Sequence, residues 1–206
     1  MDRKAVIDIG TNSIKLYVAE RASDGSLASV VDKNNIARLG EGMGDTGILQ
    51  SEAIQRNARA VADFAELARA TGAKEIVAVG TMALRTAKNA VDFVSAVQDL
   101  SGIDLRVIPG EEEAELAYLA VLSGIGASAG RLAVCDVGGG STEFILGGDA
   151  GIDRKFSINL GAVKVSDGYL TSDPPGTEQV ETAMSFVVDT LTANRVGAAR
   201  PVDRLI

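Results

Sequence analysis

The chain has 206 residues, of which 46% are hydrophobic, and a formal net charge of −8. This length is enough for a sizeable core in one large domain or two small ones. The acidic balance argues against a general nucleic-acid binder, which would carry a broad basic face. No apolar run is long enough for a membrane span. Because histidine is absent, acid–base chemistry falls to carboxylates, Lys, Tyr or Cys.

The N-terminal run reads directly into a strand, and no leader sequence is expected ahead of it. The single cysteine, Cys135, lies within an apolar strand and is predicted to be a buried core residue. One thiol cannot form an internal disulfide, which fits a reducing, cytoplasmic location.

Apolar runs and turn signals predict the elements of the first half in chain order. Strands are predicted at 4–10, 13–20 and 28–39, then a helix from an N-cap at Ser51 to about Thr71, a strand at 75–81, a helix at about 88–100, a strand at 104–109 and a helix from about Glu111 to Leu122. A glycine-rich segment at 124–130 is the predicted domain boundary.

After this segment the pattern begins again. Strands are predicted at 131–138, 141–148 and 152–159, then a break at 173–179, a helix to about Ala193 and the start of a strand at 202–206. The first half therefore reads β-β-β-α-β-α-β-α and the second reads β-β-β-α-β. This pattern predicts one α/β fold used twice, with domains at 1–124 and 125–206, the second incomplete at its C-terminus.

An internal repeat supports the duplication. VIDIGTNSIKL (6–16) and VCDVGGGSTEF (134–144) align at a constant spacing, so that Asp8 matches Asp136 and Gly10 matches Gly138. In each copy a strand ends in Asp and leads through a glycine turn to a hydroxyl side chain.

Such a turn suits a phosphate. Glycines let the backbone approach a ligand closely, and consecutive N–H groups form a concavity for anionic oxygens. Asp8 and Asp136 can each hold a hydrated Mg²⁺, which takes only one or two carboxylates. The turns match neither a Walker loop nor a dinucleotide fingerprint, because each leads into another strand. Two ordinary β-hairpins are the structural alternative.

Three glutamates, Glu111, Glu112 and Glu113, open a predicted helix. The helix dipole favours acids there, so helix capping is one explanation. Glu113, however, shares a face with Leu116 and Ala117 and is expected to turn inward. In a chain without histidine it is the natural general base for activating water.

Arg85 follows the end of a predicted strand, the edge at which α/β sheets collect ligands. Arginine binds phosphate oxygens with two parallel hydrogen bonds. Arg38 and Lys164 are weaker candidates for substrate contacts, and each could equally be a solvated surface charge.

Six segments carry a family resemblance: DIGTNSIKL, RLGEG, GTMALRTAKN, IPGEEEAELAY, DVGGGSTEF and NLGAVK. In order and spacing they resemble the exopolyphosphatase / guanosine pentaphosphate phosphatase family, from Asp8 to about Lys164. That family belongs to the actin–hexokinase–Hsp70 superfamily. The resemblance therefore implies two ribonuclease-H-like (actin-like ATPase) domains that hold phosphates between them.

The resemblance also implies roles for individual residues. Glu113 matches the catalytic glutamate that activates water, and Arg85 matches a phosphate-contacting arginine. Asp136 and Glu143 match acids associated with Mg²⁺. The implied phosphate loops contain Asn12 and Ser13 on one side and Gly138, Gly139, Gly140, Ser141 and Thr142 on the other. The implied reaction is Mg²⁺-dependent hydrolysis of terminal phosphate from inorganic polyphosphate, or of guanosine pentaphosphate in the stringent response.

Members of this family run longer and usually carry a later glycine-rich loop. The expected partner is inorganic polyphosphate or guanosine pentaphosphate, with no nucleic acid and no membrane, and a full-length form could be a homodimer. Two alternatives stay open. One is an ATP-using kinase of the same superfamily, which would need an adenosine pocket from the later segment. The other is a non-catalytic remnant that binds phosphate or nucleotide.

Overall fold

The computed structural model describes residues 2–125, 130–197 and 201–206. The chain divides into two compact units, residues 1–108 and 109–206, and each is described by itself. The boundary predicted at 124/125 adjoins residues 126–129, which lie outside the described residues. That boundary stays a prediction.

Unit 1 consists of three strands followed by alternating helices and strands. Its elements are β1 (Arg3–Ile9), β2 (Ile14–Arg21), β3 (Leu27–Asn35), a short 3-10 helix (Gly44–Thr46), α1 (Ser51–Ala70), β4 (Glu75–Gly80), α2 (Met82–Thr86), α3 (Ala90–Ser101) and β5 (Leu105–Val107). Among the described residues of this unit the strands form one sheet in the order β3-β2-β1-β4-β5. β1 pairs antiparallel with β2 and parallel with β4.

The core of unit 1 follows from the alternation of side chains along β1. Ala5, Ile7 and Ile9 are buried and belong to one apolar cluster with α1 and α3. α1 contributes mainly alanines to this cluster, and their small side chains let the neighbouring α3 approach closely. Phe93 and Val97 of α3 fill the remaining space and are fully buried.

Two local predictions for unit 1 were wrong, and one helix was missed. The N-cap of α1 is Gln50, and Ser51 is already the first helical residue. β3 ends at Asn35 rather than at residue 39, because Ala37 N–H turns back to the Asn35 carbonyl at 3.0 Å. The short helix α2, which carries Arg85, was not predicted.

Unit 2 repeats the arrangement of the first strands. Its elements are α4 (Gly110–Ile125), β6 (Leu132–Val137), β7 (Thr142–Gly148), β8 (Gly151–Ile158), α5 (Ala162–Tyr169), α6 (Thr177–Ala193) and β9 (Arg204–Leu205). Within the described residues the sheet order is β8-β7-β6-β9, which is the order β3-β2-β1-β4 of unit 1. The parallel register also repeats, with Lys4 opposite Glu75 and Leu132 opposite Arg204. The predicted two-domain α/β fold is confirmed.

α4 packs on the sheet of unit 2. Its Tyr118 is buried in a cluster with Leu132, Val134 and Ile145. Burial raises the pKa of the Tyr118 hydroxyl above its usual value, and the nearby carboxylates of unit 2 act in the same direction. No helix within the described ranges is long and apolar enough to cross a membrane.

Candidate phosphate-binding site

The two predicted glycine turns share one backbone geometry. Gly10 N–H donates to the Ser13 carbonyl at 2.9 Å, and Gly138 N–H donates to the Ser141 carbonyl at 2.9 Å. A Cβ atom would lie 3.1 Å from the carbonyl oxygen at position 10 and 3.2 Å at position 138. Both spaces are tight for any side chain. The internal repeat in the sequence is therefore also a repeat of local structure.

In unit 1 the turn at 10–13 lies at the carboxyl edge of the parallel strands. Ile9 stands opposite Gly80 in the ladder between β1 and β4, so both strands end together. Thr81 N–H donates to the Ile9 carbonyl at 3.2 Å and starts the segment that carries Arg85. Asp8, the turn and Arg85 are therefore brought to one edge of this sheet.

Arg85 is half-buried at this edge. Its Nη1 donates to the Ile108 carbonyl at 3.1 Å. Since Ile108 follows β5 directly, this bond ties α2 to the end of the neighbouring strand. The guanidinium is positioned by the protein rather than free to swing in solvent.

Arg38 reaches the same turn through its backbone. Its N–H donates to the Asn12 carbonyl at 2.9 Å, and Gly40 N–H donates to the Thr11 carbonyl at 2.9 Å. Asn12, Ser13 and Arg38 are thus close together in unit 1.

In unit 2 the turn at 138–141 is supported by α5. Ala162 N–H donates to the Gly138 carbonyl at 3.0 Å and Val163 N–H to the Gly139 carbonyl at 2.8 Å. The first amides of a helix have no partner inside the helix, and here the turn supplies one. No described residue accepts a hydrogen bond from the backbone N–H groups of Gly139 or Gly140. Backbone N–H groups in such a turn are chemically suited to an anion.

Gly161 packs directly on this turn. A Cβ atom there would lie 2.5 Å from the carbonyl carbon and oxygen of Gly139 and from the nitrogen of Gly140. In unit 1, a Cβ atom at Gly40 would clash with the side-chain methyl of Thr11, while the Thr11 carbonyl oxygen would lie 3.5 Å away. A Leu-Gly pair, 39–40 and 160–161, thus supports the turn in each unit.

The two hydroxyl side chains at the end of the turn in unit 2 are buried. Ser141 and Thr142 are almost inaccessible to solvent, and the Thr142 hydroxyl donates to the Leu160 carbonyl. The proton of that hydroxyl is therefore engaged within the protein. Lys164 lies in the first turn of α5, and its Nζ is 3.5 Å from the Asn159 carbonyl oxygen.

Three polar residues form a row across the sheet of unit 2. Asp136 stands opposite Glu143, and Glu143 stands opposite Ser157. Glu143 is only 1% exposed, and its Oε1 accepts a hydrogen bond from the Ser157 hydroxyl at 2.7 Å. Asp136 is exposed. One carboxylate is fixed inside the protein while its neighbour is open to solvent.

These carboxylates fit Mg²⁺ by the chemistry of their donors. Magnesium prefers oxygen ligands and commonly takes one or two carboxylates while keeping several waters. In the described ranges, no three or more acidic, Cys or His side chains lie close enough to hold a metal ion together.

The N-terminal end of α4 points toward this polar row. Glu115 of α4 forms an ion pair with Lys155, which stands opposite Ile145 on β7. Tyr118, three residues further along α4, packs against Gly147, two residues further along β7. The helix and the strand run the same way. The turn that carries Glu113 therefore lies toward Glu143 rather than toward the opposite end of the sheet.

Glu113 is half-buried, but Leu116, which was expected to share its inward face, is 46% exposed. Glu111, two residues earlier, is exposed. Glu113 N–H donates to the Pro109 carbonyl at 3.0 Å, which closes the first turn of the helix. Glu112 is half-buried like Glu113, so burial separates Glu111 from the other two glutamates.

Sequence reasoning missed several residues around the turns. α5 was not predicted, nor were Thr11 and Gly161 as packing partners of the turns, nor Ser157 as a partner of Glu143. One signal was available: the Leu-Gly pair follows the third strand of each half. No comparable signal marks Ser157, because its role depends on strand register.

Cys135 is half-buried rather than fully buried, so the prediction of a buried core residue was wrong in degree. It stands opposite Phe144 on β7. Burial raises the pKa of the Cys135 thiol, and the negative charges of Asp136 and Glu143 raise it further.

We expect this thiol to react slowly with Ellman's reagent at pH 8. The thiolate is the reactive form, and a raised pKa reduces its population. Unfolding in urea restores the ordinary pKa, and the rate should then rise on the order of tenfold or more. Equal reaction rates of the Cys135 thiol in native and unfolded protein would contradict a raised pKa in the folded state.

Two α/β units with one strand order, each with the same glycine turn after its first strand, define a duplicated ribonuclease-H-like protein. Residues 3–198 match the sequence profile of the Ppx/GppA phosphatase family. The chain belongs to this family.

Several relatives support the assignment. The chain is 36% identical over 199 residues to Exopolyphosphatase 2 of Mycobacterium tuberculosis, covering 93% of this chain and 62% of that protein. It is 36% identical over 174 residues to guanosine-5'-triphosphate,3'-diphosphate pyrophosphatase of Photobacterium profundum, covering 82% of this chain and 35% of that one. The solved exopolyphosphatase of Cytophaga hutchinsonii superimposes with a TM-score of 0.90 at 26% identity, covering 99% of this chain and 65% of that chain. The chain thus spans less than two thirds of these relatives' length.

Proposed function

We propose that the chain is a Mg²⁺-dependent phosphohydrolase that removes the terminal phosphate of inorganic polyphosphate or of guanosine pentaphosphate. The observation that carries the proposal is the turn at 138–141, whose carbonyls bond to α5 while the amides of Gly139 and Gly140 have no described acceptor. The names of the relatives, an exopolyphosphatase and a guanosine-5'-triphosphate,3'-diphosphate pyrophosphatase, supply the two substrate classes.

The binding step uses fixed donors. In unit 2, the amides of the glycine turn bind the oxygens of a terminal phosphate. In unit 1, the groups that bind phosphate are the Arg85 guanidinium and the turn that contains Asn12 and Ser13. Phosphoryl transfer depends mainly on such positioning and on neutralising charge, and donors that are already oriented need no reorganisation during the reaction.

Glu113 is the general base. Its carboxylate accepts a proton from a water molecule as the water oxygen attacks the terminal phosphorus. A bond forms between that oxygen and phosphorus, and the anhydride bond to the rest of the chain breaks. Orthophosphate and a chain shorter by one phosphate leave. No electron is transferred and no further co-reactant is needed.

In unit 2, Asp136 and Glu143 would hold Mg²⁺. In unit 1, Asp8 is a separate candidate ligand. When bound, the ion supplies positive charge to the phosphate oxygens. Ser157 keeps the buried Glu143 in one orientation through its 2.7 Å hydrogen bond. A cytoplasmic location, a homodimer of a full-length form, and the absence of nucleic-acid and membrane partners belong to the same proposal.

Phosphate release tests the proposal directly. The purified chain is expected to release orthophosphate from long-chain polyphosphate, from guanosine pentaphosphate or from both, with Mg²⁺ present and not with EDTA. The two substrates are assayed side by side, and circular dichroism confirms folding. A folded protein that releases phosphate from neither substrate would overturn the proposal for this chain. Transfer of phosphate from ATP to an acceptor would indicate the kinase alternative instead.

A further inference from the structure

Arg38 has a backbone conformation that its residue type disfavours. Its φ angle is +50°, in the left-handed region where a Cβ atom is strained against the backbone. Among the described residues only Arg195 shares a positive φ without being glycine. Strain of this kind persists where the surroundings determine the conformation, and it concentrates at functional sites.

The residues around Arg38 fix its backbone conformation. Both neighbours, Ala37 and Leu39, are buried in the core of unit 1. The Ala37 carbonyl accepts hydrogen bonds from Arg56 Nε at 2.9 Å and from Asn57 Nδ2 at 2.8 Å. Arg56 Nη2 also lies 3.4 Å from the Arg38 carbonyl oxygen. Side chains of α1 thus hold both peptide groups beside the strained residue.

A buried polar atom without a described hydrogen-bond partner lies beside Arg38. Asn57 is fully buried, and its Oδ1 has no hydrogen-bond partner among the described residues. A buried polar atom without a partner is destabilising. The protein therefore keeps two unfavourable features next to one another, both in contact with the segment at 37–38.

The side chain of Arg38 has no structural role that would explain these costs. It is exposed, and its guanidinium has no hydrogen bond or ion pair with any described residue. Its backbone is bonded to the turn at 10–13 through Asn12. A cation without a partner beside a turn suited to phosphate is well placed for an anionic ligand.

We propose that Arg38 binds a phosphate group of the substrate chain, and that Arg56 and Asn57 are positioning residues that hold its backbone in the left-handed conformation. The inference rests on the proposed function, since the ligand is the same phosphate chain. It adds two residues on α1 that do not touch the ligand.

Two glycine substitutions distinguish the effect of backbone strain on stability from the effect of the Arg38 side chain on phosphate binding. Arg38→Gly removes the strain and the guanidinium together, whereas Arg195→Gly removes comparable strain at the C-terminal end of α6. Each is expected to raise Tm by about 2–4 °C. Arg38→Gly is expected to weaken binding of inorganic tripolyphosphate, measured by calorimetry, by about 10- to 100-fold. Arg195→Gly should leave this affinity unchanged.

A double-mutant cycle tests the positioning role. Arg56→Met should weaken tripolyphosphate binding in the wild-type background and have no further effect in the Arg38→Gly background, because it acts through Arg38. Arg59→Met, at an exposed arginine on the same helix, controls for the loss of one positive charge. An equal effect of Arg56→Met in both backgrounds would refute positioning.

The outcomes distinguish this inference from the proposed function. If the folded wild-type chain binds no tripolyphosphate, the proposed function fails. If the wild type binds it and Arg38→Gly binds it equally well, only the inference about Arg38 fails.

Discussion

Glu113→Gln is expected to reduce phosphate release from polyphosphate by about 10²- to 10⁴-fold, the usual contribution of a general base. The amide has the shape of the carboxylate but cannot accept the proton of the attacking water. Glu113 is half-buried in the first turn of α4, where the helix runs toward the polar row at Asp136 and Glu143. Initial rates with and without the substitution, at saturating Mg²⁺, give the measurement.

A matched control is available in the same turn. Glu111→Gln removes the same charge from the same helix N-terminus but at an exposed position. It should leave the rate within about twofold, since it is not placed to contact a water at the site. Tripolyphosphate affinity and Tm of the Glu113→Gln protein should stay close to wild type. Equal losses in the two variants would show that helix charge, and not base catalysis, is being measured.

Gly161→Ala is expected to have the second large effect. The added Cβ would lie 2.5 Å from three backbone atoms of the turn at 139–140, and backbone cannot rotate away as a side chain can. The turn or α5 must shift, which costs about 1–3 kcal/mol of stability as overpacking does. The shift also moves the amides proposed to bind phosphate. Tripolyphosphate affinity should then fall at least about tenfold, since one misplaced donor is comparable to one removed.

Gly168→Ala provides the comparison within α5. Nothing lies within 4 Å of the Cβ that it would add, and alanine is favoured over glycine inside a helix by about 0.5–1 kcal/mol. This variant should be slightly more stable and should bind tripolyphosphate as the wild type does. Calorimetry and thermal unfolding of the pair supply both readouts. Normal affinity in a folded Gly161→Ala protein would mean that the turn does not bind the phosphate.

The repeated turn could be predicted because it depends on local residues. A strand, an Asp and a Gly-x-x-Ser turn recur with fixed spacing, and glycine restricts what the backbone can do there. The order of strands and helices along each half could be predicted from apolar runs and turn signals. These features are encoded within short segments, where hydrophobic alternation and turn chemistry act directly.

α5 could not be predicted in the same way. Its sequence, AVKVSDGY, contains two valines and a glycine, which are weak helix formers. The helix is stabilised by donating its first amides to the carbonyls of Gly138 and Gly139, and these residues are distant in sequence. The left-handed Arg38 is a similar case. Nothing in the segment RLGEG marks an arginine as strained until the contacts of Arg56 and Asn57 are known.

The position of α4 has a consequence for dissecting the chain. α4 follows the last strand of unit 1 along the sequence but belongs to unit 2, where Ala114 and Tyr118 cover Leu132, Val134 and Ile145. A fragment that starts at residue 125 would lose this cover and expose those apolar side chains, each worth about 1.5–3 kcal/mol when buried. A fragment that starts at Pro109 would keep the helix and the sheet together. The smallest piece with an intact second core therefore begins with Pro109 and includes all three glutamates.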